Sequence, residues 1–276
     1  MPAVPISDDD RSALASAKET LENPGLAVKI VDIVGAPVEK ALTLLPPDWR
    51  DVVQTVTNKA LMTALGAAVA TLDDRTGRAA SNLVHKALCA ASGAIGGVFG
   101  LATLPVELPV STALMFQSIA DIARSEGEDI RSIETKLACL EVFAFCGPAA
   151  SDDASETGYF AVRTVLAREV SEAAKFIAEK GLVEKAPVVV RLVTAIASRF
   201  GAAVSDKVAA QIVPIVGAVG GALVNTVFMN HFQDMARGHF TVRRLERRYG
   251  ADEIKKLYCD IPVGRPGGRA RRSEAG

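Results

Sequence analysis

The chain has 276 residues, with 31 Lys and Arg against 32 Asp and Glu, a formal net charge of -1. A chain with so little net charge is expected to bind polyanions poorly. An aromatic content of 5% also argues against modules that stack on nucleic-acid bases, so we expect no nucleic-acid partner. A hydrophobic content of 49% excludes a disordered chain. Four cysteines without a C-x-x-C pair favour reduced thiols, and the first 22 residues lack a secretory signal pattern. We therefore expect a cytoplasmic protein that is not secreted.

Helical periodicity dominates the chain, and no stretch alternates polar and apolar residues between hairpin turns. Ser7, followed by three aspartates, is typical of a helix N-cap, and Gly250 ends the last long helix. The fold class predicted is all-α: a single large bundle with two Gly-rich apolar central hairpins and no sheet. Helices are expected at residues 8–22, 26–45, 48–72, 79–102, 109–126, 133–145, 155–180, 187–200, 203–212 and 215–248.

The predicted domain organisation has three parts. Residues 1–25 form an N-terminal helix or arm, and residues 26–261 form the helical domain. Residues 262–276 are rich in Gly, Pro and Arg, which predicts a disordered basic tail.

Three stretches lack any Asp, Glu, Lys or Arg: residues 87–106, 108–120 and 208–233. About 20 apolar residues of helix would cross a bilayer core, so membrane spans are one interpretation. Central helices of a soluble or membrane-peripheral bundle are the other. Asn225 and Pro214 favour this second interpretation, because an amide is costly in lipid without a partner and a proline interrupts a simple span.

Glycines within these stretches recur at G-x-x-x-G spacing. Gly93 with Gly97 and Gly217 with Gly221 each clear one stripe of a helix of side chains, so that two backbones can approach closely. The spacing predicts tight helix packing within the two hairpins.

A basic segment follows the last apolar stretch. Residues 237–276 hold eleven Lys and Arg against five acids, a charge of +6. Arg243, Arg244, Arg247 and Arg248 occupy neighbouring turns, which suits contact with an anionic membrane surface or a membrane protein complex. The alternative is a solvated helix end that complements its own dipole.

A four-residue pattern, D-x-A-R, occurs twice after a Gly-rich apolar segment. Asp121 with Arg124 and Asp234 with Arg237 are each three residues apart on one helix face, where acid and arginine can pair. We expect two structural ion pairs and two related hairpins.

Glu107 is the most unusual residue, a carboxylate between apolar stretches that must be paired, capped or protonated. It is either a structural cap near a helix N-terminus or a functional acid. With Asp121, His231 and Asp234 it forms the candidate catalytic set, and Glu107, His231 and Asp234 are the candidate metal ligands. A structural polar network is the alternative for this cluster. No nucleotide or metalloprotease motif is present, so no cofactor is predicted, although a divalent metal stays open.

Several segments together resemble the bacterial EcsC family. The similarity covers roughly residues 10–260 and rests on residues 104–115, 118–129, 137–144, 197–201, 214–222 and 237–250. The resemblance implies a bacterial, mostly cytoplasmic protein that associates with membranes. It supplies no catalytic residue, and the family's namesake is encoded beside the subunits of an ABC transporter.

Three functions are compatible with these patterns. The first is a non-enzymatic helical protein at the inner face of the cytoplasmic membrane, accessory to a transporter or an envelope process. The second is a hydrolytic or metal-assisted enzyme that uses the acid and His cluster between the hairpins. The third is a soluble scaffold that binds a protein partner along the helix at residues 155–180.

Overall fold

The computed structural model describes residues 5–23, 25–26, 29–30, 47–71, 103–146, 158–212 and 217–262. These residues contain helices and no strand, which confirms the all-α prediction. A short 3-10 helix, Val142–Phe145, follows the fourth α-helix. The α-helices are α1 Asp8–Glu22, α2 Trp49–Thr71, α3 Leu104–Ser125, α4 Ile133–Glu141, α5 Gly158–Lys180, α6 Pro187–Ile212, α7 Gly217–Tyr249 and α8 Ala251–Asp260.

The core forms around α7, the longest of the described helices, which packs against α1, α3 and α8. On the other side, α2 packs against α3 and α6. Phe143, Phe200 and Phe232 meet at the centre, with ring centroids 5.0 to 5.4 Å apart. Aromatic rings at such distances add to the free energy that burial already supplies.

The predicted helix boundaries are right at some ends and wrong at others. Ser7 caps α1, because its Oγ accepts a hydrogen bond from the backbone N–H of Asp10 at 3.2 Å. The expectation that a helix begins at Pro109 is wrong: α3 begins at Leu104 and continues through that proline. Pro109 is the sixth residue of α3 and has no N–H to donate to the carbonyl of residue 105, so the helix continues there with one hydrogen bond fewer.

One further boundary prediction is wrong, and one helix was not predicted. The expected break between residues 200 and 203 is absent, because α6 runs without interruption through Gly201, where a side chain would meet Gln54 of α2. The sequence reading also missed α8. Gly250, with φ of 99°, ends α7, and Ile254 and Tyr258 of the next helix are then buried.

Helix α1 joins segments that are distant in sequence. The Lys18 ammonium donates hydrogen bonds to the carbonyl oxygens of Tyr258 and Ile261, both at 2.6 Å, at the end of α8. The Glu22 carboxylate accepts from the backbone N–H groups of Gly158 and Tyr159, at 3.1 and 3.4 Å. One helix thus caps the end of α8 and the start of α5.

Some predictions lie outside the described residues. They are the helix at 79–102 with Gly93 and Gly97, most of the helix at 26–45, and the tail from residue 263. Of the second glycine pair, Gly217 is the first residue of α7, and Gly221 is buried one turn later.

Candidate functional site

Glu107 lies in the first turn of α3 and is 95% buried. Its Oε1 accepts hydrogen bonds from Lys207 Nζ of α6 at 2.6 Å and from Asn225 Nδ2 of α7 at 2.9 Å. Burying a carboxylate is costly unless it is both paired and hydrogen-bonded. Oε1 meets both conditions, whereas Oε2 has no hydrogen-bond partner among the described residues. The three residues, here called the buried ion-pair cluster, hold the start of α3, the end of α6 and the start of α7 together.

Exposed apolar side chains lie close in sequence to two members of the buried ion-pair cluster, Glu107 and Asn225. Val106 and Val110 lie beside Glu107 on α3 and are 73% and 49% exposed. Leu223 lies two residues before Asn225 on α7 and is 48% exposed. These three side chains, here called the apolar end, belong to the three uncharged stretches of the sequence.

The structure does not unite the predicted catalytic set. Glu107 and Asp121 lie on the same helix 14 residues apart, which separates them by about 21 Å along the axis. His231 and Asp234 follow Asn225 by six and nine residues on α7, about 9 and 13 Å further along that helix. A single active site containing all four residues is therefore excluded.

The predicted metal set fails in the same way. The described part of the chain contains no group of three or more His, Cys, Asp and Glu side chains placed to hold a metal ion. Glu107, His231 and Asp234 consequently do not form the metal site that the sequence suggested, because Glu107 contacts α7 at Asn225, six and nine residues before His231 and Asp234.

Both D-x-A-R pairs form. Arg124 Nη2 lies 2.8 Å from Asp121 Oδ1, and Arg237 Nη1 lies 2.8 Å from Asp234 Oδ1. The side chains of the second pair are nearly half exposed, so we expect that pair to contribute little stability.

The four arginines proposed for membrane contact all form ion pairs within the chain. Arg243 binds Glu128 in a two-bond arrangement at 2.8 and 3.2 Å, and Arg247 binds the same carboxylate. Arg244 pairs with Glu126 at 2.8 Å, and Arg248 pairs with Asp10 at 2.9 Å. Much of the basic charge of this helix end is neutralised by acids of the same molecule.

A groove of about 740 Å³ lies between α4, α5 and the junction of α7 with α8. Small side chains, among them Ala138, Ala167 and Ala174, form its apolar walls. This volume lies in the usual range of ligand pockets. Here it is called the α4–α5 groove.

Glu141, the last residue of α4, lines this groove and is 94% buried. It makes no hydrogen bond or ion pair with any other described residue. Burial raises the pKa of its carboxyl to about 7, against the opposing effect of Arg163 and Arg243 nearby. A carboxyl that titrates near neutral pH in a groove can hold either a proton or a cation.

The neighbours of Glu141 form a hydrogen-bonded chain. Arg163 makes two bonds to Glu246, at 2.7 and 3.1 Å, which tie α5 to α7. The hydroxyl of Tyr159 lies 2.9 Å from Nδ1 of His239. Burial lowers the pKa of His239 well below its usual value, and the charges of Arg163 and Arg243 act in the same direction. The imidazole is therefore neutral at physiological pH.

Glu141 was not predicted as a site residue, although the sequence around it indicates one. It is the sole acid in the ten residues 137–146, an otherwise apolar segment. The argument that singled out Glu107 applies to it without change. The groove itself could not be predicted, because it needs the relative placement of four helices.

The fold and these two sites define an all-α helical bundle with a buried ion-pair cluster at one end and a groove at the other. The model of the EcsC protein family matches residues 14–245. The chain therefore belongs to the EcsC family, as the resemblance implied. No curated protein and no solved structure matches it.

Proposed function

We propose that this EcsC-family protein is a non-enzymatic helical protein that associates with the inner face of the cytoplasmic membrane through its apolar end. The observation that carries the proposal is the exposure of Val106 and Val110, four residues apart on one face of α3, together with that of Leu223 on α7. Contiguous exposed apolar side chains mark interaction surfaces. A role beside a transporter or in an envelope process would follow from such a location.

Two features of the chain support contact by insertion of apolar residues. Val106 and Leu223 belong to the uncharged stretches 87–106 and 208–233, so no charged side chain interrupts them in sequence. The segment Pro187–Ala210 of α6 is long and apolar enough to cross a membrane, yet half of its most apolar part is buried in the bundle. Shallow contact suits this arrangement better than a span, because α6 already packs against other helices.

The arginines at the basic end of α7 form ion pairs within the chain, so we expect this end to bind a membrane less strongly than the apolar end does. Leu223 and Arg244 are 21 residues apart on α7, about 32 Å along its axis. A membrane that receives the apolar end therefore does not reach these arginines unless α7 lies flat on it.

Vesicle flotation tests the proposal. The full chain is mixed with vesicles of equal parts phosphatidylcholine and phosphatidylglycerol, and the floated fraction is measured. We expect the double substitution Val106→Asp and Val110→Asp to lower binding about tenfold or more, because each valine that enters lipid contributes on the order of 1 kcal/mol.

Val165→Asp is the matched control. Val165 is as exposed as Val106, at 73%, but lies on α5 two residues from Arg163, away from the apolar end. It should float like the wild type. Absence of flotation by the wild type, or an equal loss in the control, would refute the proposal.

A further inference from the structure

The α4–α5 groove contains a buried carboxyl that has no partner among the described residues. Glu141 lines the groove, is 94% buried and makes no hydrogen bond or ion pair with the rest of the described chain. Burying a carboxyl in this state is costly unless it stays protonated or receives a donor from outside. The groove is therefore a candidate ligand site with Glu141 as its buried polar group.

The groove is long and narrow. It follows one face of α5 from Phe160 to Glu179, because residues three or four apart on this helix line it throughout. That distance is about 28 Å along the helix axis. A volume of about 740 Å³ over such a length leaves a mean cross-section of about 26 Å². An α-helix with its side chains is about 10–12 Å across and needs about three times that area. The groove consequently suits an unbranched chain and is too narrow for a docked helix.

The walls of the groove suit a ligand with an aliphatic stem. Small apolar side chains form them: Ala138 of α4 and Ala167, Val170 and Ala174 of α5. Ligand sites typically combine apolar walls with a few polar groups that fix the orientation of the ligand, and Glu141 is such a group. A bare metal ion does not match this arrangement, since the described residues offer no group of three metal ligands.

The charges around the groove favour a cationic ligand. Arg163 is neutralised by Glu246, and Arg243 by Glu128. The other charged residues that line the groove are four carboxyls and two lysines, an excess of two negative charges when all are ionised. They are Glu134, Glu141, Glu179, Asp252, Lys175 and Lys255. The carboxyls of this set other than Glu141 are exposed, so the groove has one acid inside and three at its rim.

We propose that the α4–α5 groove binds a linear aliphatic polyamine, with one ammonium group hydrogen-bonded to Glu141 and the methylene chain against the alanine walls. The bound ammonium supplies the donor and the counter-charge that the buried carboxylate lacks. A second ammonium is attracted by the exposed carboxyls at the rim, an attraction that salt screens. The proposal is independent of membrane binding, which is assigned to the apolar end on α3 and α7.

Calorimetric titration of the full chain with spermidine tests the proposal. The titration is made at low salt and pH 8, above the pKa of about 7 that burial gives the Glu141 carboxyl. We expect one spermidine to bind per chain, and Glu141→Gln to weaken binding by at least about tenfold, since a hydrogen bond to a charged group is lost. Hexylamine, with one ammonium, should bind more weakly than spermidine, and its binding should still depend on Glu141. Hexanol, which has the same stem without the charge, should not bind.

Urea unfolding distinguishes the loss of a ligand contact from the loss of the fold. Without ligand, Glu141→Gln should be at least as stable as the wild type at pH 8, because the substitution removes an unpartnered buried charge. Spermidine should raise the urea midpoint of the wild type, since it binds the folded state, and should leave that of Glu141→Gln unchanged.

Ala167→Phe tests the location of the site. Ala167 is an exposed residue of α5 in the wall of the groove, so a ring at this position fills the groove without entering the core. The variant should bind neither spermidine nor hexylamine. Val165→Phe is the matched control, because Val165 is exposed on the same helix but does not line the groove. Glu253→Gln, which removes an exposed carboxylate of α8 outside the groove, controls for total charge. Both controls should bind spermidine like the wild type.

Three results would overturn the proposal. The first is the absence of spermidine binding by the wild type. The second is an equal affinity of the wild type and Glu141→Gln, or an equal loss in Glu253→Gln, which would show that spermidine responds to surface charge and not to the groove. The third is binding of hexanol as tight as that of hexylamine, which would show an apolar site with no requirement for a cation.

Discussion

Removal of one member of the buried ion-pair cluster should destabilise the protein far more than removal of both. Lys207 is completely buried and its Nζ lies 2.6 Å from Glu107 Oε1. In Glu107→Gln the ammonium would stay buried without a counter-charge. We expect a loss of about 3–5 kcal/mol of unfolding free energy, the usual cost of breaking a buried pair from one side.

The geometry also predicts how much unfolding free energy is lost when Lys207 is replaced, and when both residues are replaced together. In Lys207→Met the carboxylate of Glu107 keeps the hydrogen bond from Asn225, so its loss should lie near the lower limit, about 3 kcal/mol. The double variant, Glu107→Gln with Lys207→Met, has no buried charge and keeps an acceptor for Asn225. Its stability should lie within about 1 kcal/mol of the wild type, because well-packed neutral replacements of buried pairs are often neutral.

Urea unfolding at neutral pH, followed by circular dichroism, measures these differences in one double-mutant cycle. The surface pair of Asp234 and Arg237 is the control, since it has similar length, 2.8 Å, but its side chains are nearly half exposed. Asp234→Asn should cost less than about 1 kcal/mol. A double variant as unstable as the sum of its two single variants would refute the reasoning.

Three further predictions concern the packing of α1 and the ion pairs of α7. Gly238→Ala should destabilise by about 1–3 kcal/mol in urea unfolding, because its new Cβ would lie 2.8 Å from Cγ of Leu21, and Leu21→Ala should restore part of the loss. Lys18→Met should remove about 1–3 kcal/mol and speed hydrogen exchange at the end of α8, whose carbonyls lose their donor; unchanged exchange would contradict this. Burial raises the pKa of Glu128, but bonds and charge from Arg243 outweigh it, so the pKa lies below 4.5. Folding stability should therefore fall on acidification below about pH 4.5, and less so in Glu128→Gln, as pH-dependent unfolding would show.

Local patterns in the sequence were sufficient to predict most of the described helices, although not α8, and the need of Glu107 for a partner. They could not identify Lys207, which is 100 residues away in sequence, or Asn225, which is 118 residues away. Hydrogen bonds between segments that are distant in sequence produce no repeating pattern of residues from which they could be predicted. The same reason explains why Glu22 was not predicted to cap α5.

At the basic end of α7, the sequence shows the residues of the cluster but not their partner. Arg243 and Arg247 were recognisable as a cluster, and their charge was counted correctly. Their meaning depends on Glu128, which the fold brings from more than 100 residues away to share one carboxylate between them. A count of charged residues in the segment around these arginines therefore overstates the positive charge that is left unpaired, because an acid distant in sequence pairs with them.

The contacts of α1 impose an order on synthesis and folding. Lys18 is made early by the ribosome, but the carbonyls that it binds belong to residues 240 and 243 positions later. At about 5–20 residues per second, this delay lasts some tens of seconds. During that time α1 has an incomplete surface to pack on, and its apolar side, with Leu14 and Leu21, is open to chaperones or to aggregation. The nascent chain can make these contacts of α1 only when α8 has emerged from the ribosome.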